Sequence, residues 1–184
     1  MDSTLIVYAC PTGALAEQID RYFAAMRALF GPGAADAYMP HCSLTGFFHD
    51  DDLAIPRYAA ALRDALRQAL PARPEPAIRI ADLLLRDDFH GFALESDWLQ
   101  KLVADFAQRA HSPTRREALR LKTWLHLSLA YGFPHDQAAA RTQHARSLID
   151  PAAAVGWELR FYERLPDGGW RCHAAYPLSQ NGTA

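Results

Sequence analysis

The chain has 184 residues, half of them apolar, which is enough to bury the core of one large domain. A formal net charge of −2 excludes a broad cationic surface that would hold long nucleic acid, and Lys101 and Lys122 are the only lysines among 19 basic residues. A local arginine patch still suits a small phosphorylated ligand.

The opening MDSTLIVYACPTG has an acidic second residue and too short an apolar run for a signal peptide. No apolar stretch of about 18 residues offers a membrane helix, so a soluble, cytoplasmic protein is expected. Cys10, Cys42 and Cys172 are an odd set without metal-like spacing. Neither a disulfide framework nor a zinc site is indicated, and Cys42 and Cys172 read as small buried hydrophobes.

In chain order, Leu5 to Cys10 reads as an apolar strand closed by Pro11, Thr12 and Gly13. Leu15, Ile19, Phe23, Met26 and Phe30 recur at helical spacing, and Gly31-Pro32-Gly33 ends that helix. Pro40 to Phe48 is expected as a strand, with the acidic run His49 to Asp52 as a loop and helix start. Leu53 to Leu70 is the second helix, broken by the proline-rich Pro71 to Pro76. Ile78 to Leu85 and Phe89 to Leu94 then suggest a hairpin turning at Arg86-Asp87-Asp88.

Ser96 can cap a helix from about Asp97 to Ala110, with Trp98, Leu102 and Phe106 on one stripe. The polar stretch His111 to Arg116 ends it, and Lys122 to Phe133 is the next strand. Pro134 to about Leu148 is a helix, and Trp157 to Leu165 with Trp170 to Tyr176 close the fold as a hairpin around Pro166-Asp167-Gly168-Gly169. Each half thus repeats helix, strand, helix and further strands. The expectation is an α+β fold, a single bilobal domain over 1–178 with two pseudo-symmetric lobes. Antiparallel-rich sheets would line a central cleft with helices outside, and 179–184 would be a disordered tail.

Two segments of those strands are nearly alike: His41-Cys42-Ser43-Leu44 in MPHCSLTGFF and His126-Leu127-Ser128-Leu129 in WLHLSLAYGF. Strand alternation puts the imidazole and the hydroxyl of each on one face. Brought together, they supply two proton carriers near neutral pH and two hydroxyl donors for a phosphoryl group. Either histidine can serve as base, and the sequence leaves open which one does.

These motifs resemble those of the 2H phosphoesterases, named for two His-x-Ser/Thr motifs, and the second half is most similar to the cyclic-phosphodiesterase branch of plants and yeast. The resemblance implies metal-independent hydrolysis of a cyclic phosphodiester on ribose, a nucleoside 2′,3′-cyclic phosphate or ADP-ribose 1″,2″-cyclic phosphate. His41 and His126 would be catalytic, and Ser43 and Ser128 would bind phosphate. An RNA 2′,5′-ligase or an oligonucleotide end-trimming phosphodiesterase uses the same chemistry, and a non-catalytic module that binds a phosphorylated nucleotide is the rival class. The implied partner is a small phosphorylated nucleotide or an RNA end, met by a monomer without cofactor, metal or membrane.

Three further residues are candidates for substrate contact. Thr45 shares the His41 face, although threonine is also simply a good strand former. The same branch implies that Tyr8 and Tyr131 line the site. Strict alternation turns Tyr131 away from the His126 face unless the strand bulges, and the branch tends to carry Trp where Tyr8 stands. His49, His90, His111, His135, His144 and His173 read as solvated or structural. Arg115 and Arg116, with Arg120 and Lys122, read more readily as a solvated loop than as a phosphate guide. Cys42 faces away from His41, which removes it as a nucleophile.

Overall fold

The computed structural model describes residues 2–178, so the tail expected at Ser179–Ala184 lies outside the described residues. Eight strands form one sheet: β1 (Asp2–Thr12), β2 (Cys42–Ser43), β3 (Phe48–Asp51), β4 (Arg79–Leu85), β5 (Phe89–Glu95), β6 (Leu125–Tyr131), β7 (Gly156–Arg164) and β8 (Trp170–Pro177). Their order is β4-β5-β6-β2-β1-β7-β8, with β3 also paired to β1. Every strand pairing among the described residues is antiparallel. Four helices accompany them: α1 (Ala14–Phe30), α2 (Ile55–Ala69), α3 (Asp97–Arg109) and α4 (Ala138–Leu148). The α+β expectation holds, in the form of one continuous sheet.

Alternation along β1 divides the molecule. Leu5, Val7 and Ala9 enter the main core with Leu15, Ile19 and Tyr22 of α1, Leu62 of α2, Leu102 and Phe106 of α3, and Leu125 and Leu127 of β6. Full burial of each large apolar side chain contributes about 1.5–3 kcal/mol, so this face holds most of the folding energy. Ile6, Tyr8 and Cys10 point the other way, into a small cluster with Tyr162, Met39, Phe47 and Trp170. That second face, without a helical layer among the described residues, carries the candidate site.

The helices end where local chemistry ends them. Gly31 closes α1 at φ 77, a backbone region that costs a glycine nothing, and its N–H donates to the Arg27 carbonyl at 3.0 Å. Ser96 caps α3 as expected: its Oγ accepts the Leu99 N–H at 3.0 Å and donates to the Ala77 carbonyl at 2.6 Å.

Three expectations need correction. The strand expected over Pro40 to Phe48 is interrupted. Before Phe48, which begins β3, only Cys42–Ser43 pairs as a strand, because the Leu44 and Thr45 N–H groups both turn to the Val7 carbonyl and the Thr45 hydroxyl accepts the Val7 N–H at 3.1 Å. The acidic run after it is partly strand, since Phe48–Asp51 pairs with the start of β1. Asp50 is fully buried there. Its carboxylate accepts from the Tyr58 hydroxyl at 2.6 Å, the Thr114 hydroxyl at 2.5 Å and the Asp51 N–H at 2.8 Å. Burial alone would raise the pKa of Asp50, but hydrogen bonds from Ser112, Thr114, Tyr58 and the Asp51 backbone hold it below the ordinary carboxylate value. Finally, Cys42 is buried as expected but Cys172 is exposed, because β8 ends the sheet and slips register between its pairings with Phe161 and Tyr162.

Candidate functional site

The two His-x-Ser segments meet directly. Cys42 of β2 pairs with Leu127 of β6, so the middle residues of the two motifs face each other across an antiparallel seam and both point into the core. That register sets Ser43 against His126 and His41 against Ser128, all four on the second face. The histidines are then diagonal neighbours, at a Cβ separation somewhat under about 7–8 Å by sheet geometry. Their mutual field is one of the forces acting on His41.

Each imidazole is held in the same way. The His41 Nδ1–H donates to the Met39 carbonyl at 2.8 Å and the His126 Nδ1–H to the Trp124 carbonyl at 3.3 Å, each two residues upstream. This assigns the proton of both neutral rings to Nδ1 and leaves Nε2 free to exchange a proton in the cleft. Each ring also rests on an aromatic neighbour at 4.0 Å, His41 on Tyr8 and His126 on Trp124. Burial is the main force on both, and it outweighs the opposing backbone hydrogen bond. His41 is lowered from the ordinary imidazole value by burial and then by His126, and His126 is lowered by burial and then by Lys122.

A cleft of about 420 Å³ opens over this seam. Tyr8, His41, Ser43, Thr45, His126, Ser128 and Tyr131 all line it. No hydrogen-bond partner holds the Ser43 or Ser128 hydroxyl among the described residues, which leaves both available to a ligand. Thr45 differs: its buried hydroxyl is committed as acceptor to the Val7 backbone. Tyr131 reaches the cleft because β6 bulges at Leu129, where the pairing steps from Gly91 with Ser128 to His90 with Ala130. Gly91 permits this bulge, since a Cβ there would run into the Leu127 carbonyl and come within 2.6 Å of the Phe89 ring.

Several cleft residues carried no clear signal in the sequence. Arg120 and Lys122 line the cleft because the 120–122 segment pairs with 44–46 through the Gly46 N–H to Arg120 carbonyl and Lys122 N–H to Leu44 carbonyl bonds. Arg115 and Arg116 lie elsewhere, the first on the Ala110 carbonyl and the second on Asp2. Tyr38, Phe47, Phe89 and Trp124 give the cleft aromatic walls. Half of the Trp124 surface (51%) and two fifths of Tyr131 (40%) remain exposed, so both rings can receive a flat apolar group. The remaining histidines serve other contacts, among them His49 with Glu117, His90 with Thr142 and His173 with Glu163. Among the described residues, no three His, Cys, Asp or Glu side chains converge as a metal site, and no helix is long and apolar enough to cross a membrane.

Similarity to known proteins points away from the family suggested by the motifs. No family model matches the chain. It is 26% identical to ecdysteroid-phosphate phosphatase of Drosophila melanogaster, over 88% of this chain and 26% of that protein. The Bombyx mori ecdysteroid-phosphate phosphatase is 24% identical over 95% of the chain and 26% of its own length. Ubiquitin-associated and SH3 domain-containing protein B of Mus musculus is 25% identical over 86% of the chain and 25% of its length. The chain spans about a quarter of the length of the curated relatives it matches. These relatives overturn the assignment to the 2H phosphoesterases. Cyclic-phosphodiester hydrolysis on ribose, its ligase and end-trimming alternatives, the nucleotide-binding module and the link to RNA processing are withdrawn with it.

Proposed function

We propose that the chain is a phosphatase-type hydrolase and that the cleft over the β2–β6 seam cleaves a phosphomonoester. The carrying observation is the Cys42–Leu127 register, which places two imidazoles and two unengaged hydroxyls around one space. Two relatives named as phosphatases acting on an ecdysteroid phosphate support this direction. We also read the sheet as two halves meeting at this seam, β4-β5-β6 on one side and β2-β1-β7-β8 on the other.

In this reading Arg120 and Lys122 draw the phosphate dianion into the cleft, and Ser43 and Ser128 donate to its non-bridging oxygens. One histidine, neutral, takes a proton from water as the water oxygen bonds to phosphorus. The other, protonated, gives its proton to the ester oxygen as the phosphorus–oxygen bond breaks, so an alcohol and inorganic phosphate leave. Tyr8 positions His41 through ring contact, and Thr45 positions β1 through Val7. The exposed faces of Trp124 and Tyr131 receive the alcohol, which favours a flat apolar alcohol over a small polar one.

Phosphate release from an aryl phosphate and from a short alkyl phosphate tests this. Wild type is expected to favour the aryl ester, and His41→Ala and His126→Ala each to lose at least about a hundredfold. Unchanged turnover in either variant removes that residue from the mechanism. No release by the wild type from either ester removes the reading.

A further inference from the structure

A second cavity, of about 330 Å³, lies between the end of α1, the 31–36 loop, the end of β6 and α4. Its walls are mixed, with the side chains of Phe23, Met26, Phe30, Leu129 and Phe133 beside polar groups, and Arg141 of α4 lines it while being only 7% exposed. Such burial of a guanidinium ordinarily brings a carboxylate partner. Arg141 has none among the described residues. Its Nε and Nη2 both donate to one neutral oxygen, Gln137 Oε1, at 3.1 and 2.7 Å. Asp36, the acidic residue on the cavity wall, is already engaged by Arg27 at 3.3 Å and by the Gly33 N–H at 2.9 Å.

The orientation of the guanidinium limits what can neutralise it. Phe30 and Phe133 lie against it with ring centroids 4.6 and 5.2 Å from Cζ, so a ligand must approach its remaining N–H edge. That edge presents parallel donors matched to the two oxygens of a carboxylate. The Tyr22 hydroxyl is buried beside Arg141, whose charge and hydrogen bonding oppose the upward pull of burial on that hydroxyl; as a neutral group it gives the guanidinium no counterion. His90, which lies against Phe133 at 5.0 Å, is lowered by burial and further by the field of Arg141.

We propose that this cavity is a second ligand site, separate from the histidine cleft, that takes the carboxylate of a small apolar acid on Arg141 with the acid's hydrocarbon body among the phenylalanines. The two cavities share only Ala35 and Tyr131 as wall residues. The inference does not depend on the proposed phosphatase activity.

Amide chemical shifts of the full chain, followed by NMR during titration with 4-phenylbutyrate, its amide or inorganic phosphate, provide the test. Phenylbutyrate is expected to saturate, to shift amides of Gly33, Ala34, Gly132 and Phe133, and to bind about tenfold more tightly than the amide. Inorganic phosphate is expected to shift Ser43 and Ser128 instead, and its failure to do so would count against the phosphatase reading alone. Arg141→Gln is expected to weaken phenylbutyrate at least about tenfold, while His126→Ala leaves it unchanged. Absence of saturation up to about 10 mM, equal affinity for the amide, or shifts confined to the histidine cleft each overturn the proposal, and these wild-type readouts stand even if Arg141→Gln does not fold.

Discussion

Removing the Ser43 and Ser128 hydroxyls, singly and together, probes the seam most directly. Neither hydroxyl is held by another group among the described residues, so Ser→Ala forfeits no native hydrogen bond and should change stability by no more than about 0.5 kcal/mol. The loss falls on the transition state. A hydrogen bond to a charged oxygen is worth about 1.5–3 kcal/mol, which at about 1.4 kcal/mol per decade gives roughly a tenfold to hundredfold drop in kcat/KM for each variant. Because the register places the serines on opposite strands, diagonal to one another, they reach different phosphoryl oxygens and their effects should multiply. The double variant is therefore expected to lose about a hundredfold to ten-thousandfold. Steady-state phosphate release with a parallel melting curve separates the two effects. A single variant within twofold of wild type, or a loss matched by a fall in Tm, would refute the assignment of these hydroxyls to the phosphoryl group.

Three other outcomes follow from the packing. Gly91→Ala forces a methyl against the Leu127 carbonyl and the Phe89 ring, and is expected to cost about 2–3 kcal/mol and lower Tm by about 5–10 °C; an unchanged melting curve would show that the bulge yields freely. In the native protein iodoacetamide should label Cys172 alone, because Cys10 and Cys42 are buried and their thiols are pushed up to about 12, so mass spectrometry finding early label on either contradicts their burial. His41, His90 and His126 are all lowered by burial. Below about pH 6.5 the unfolded chain therefore binds more protons than the native one, and denaturant melts should show stability falling as pH drops from about 8 to about 5.5; a flat profile would mean that these rings titrate normally.

What could be read in the sequence was whatever depends on local period. Alternation alone put His41 and Ser43, and His126 and Ser128, on shared faces, and the Cys42–Leu127 register agrees with it. The element order was legible for the same reason, since helical stripes such as Trp98, Leu102 and Phe106 announce their own burial. What could not be read depends on partners far along the chain. The 48–51 segment is acidic enough to pass for a loop, yet Asp50 is buried because Tyr58 and Thr114 come to it. Tyr131 faces the cleft because of a bulge whose permissive residue, Gly91, sits on the neighbouring strand. Arg120 and Lys122 look like surface charge until their backbone pairs with residues 44–46. The family assignment failed at a different level, because a three-residue motif specifies a geometry on a strand and not the lineage of the chain that carries it.

The depressed imidazoles bear on the roles within the pair. Burial and the neighbouring charges disfavour the protonated form of both rings, yet the proposed reaction needs one of them protonated. The substrate resolves this, since a phosphate dianion beside an imidazole favours its charged form. The two rings do not respond alike. Lys122 contributes to lowering His126, whereas the neighbouring charge that contributes to lowering His41 is His126 itself. A dianion bound against Lys122 cancels the Lys122 part of the force on His126, leaving burial, and protonation of His126 then adds to the force on His41. His126 should therefore become the acid and His41 remain the base. Titration of both rings by NMR, with and without inorganic phosphate, is expected to show His126 rising by at least about one pKa unit more than His41. Equal shifts, or a larger rise at His41, would reverse the assignment.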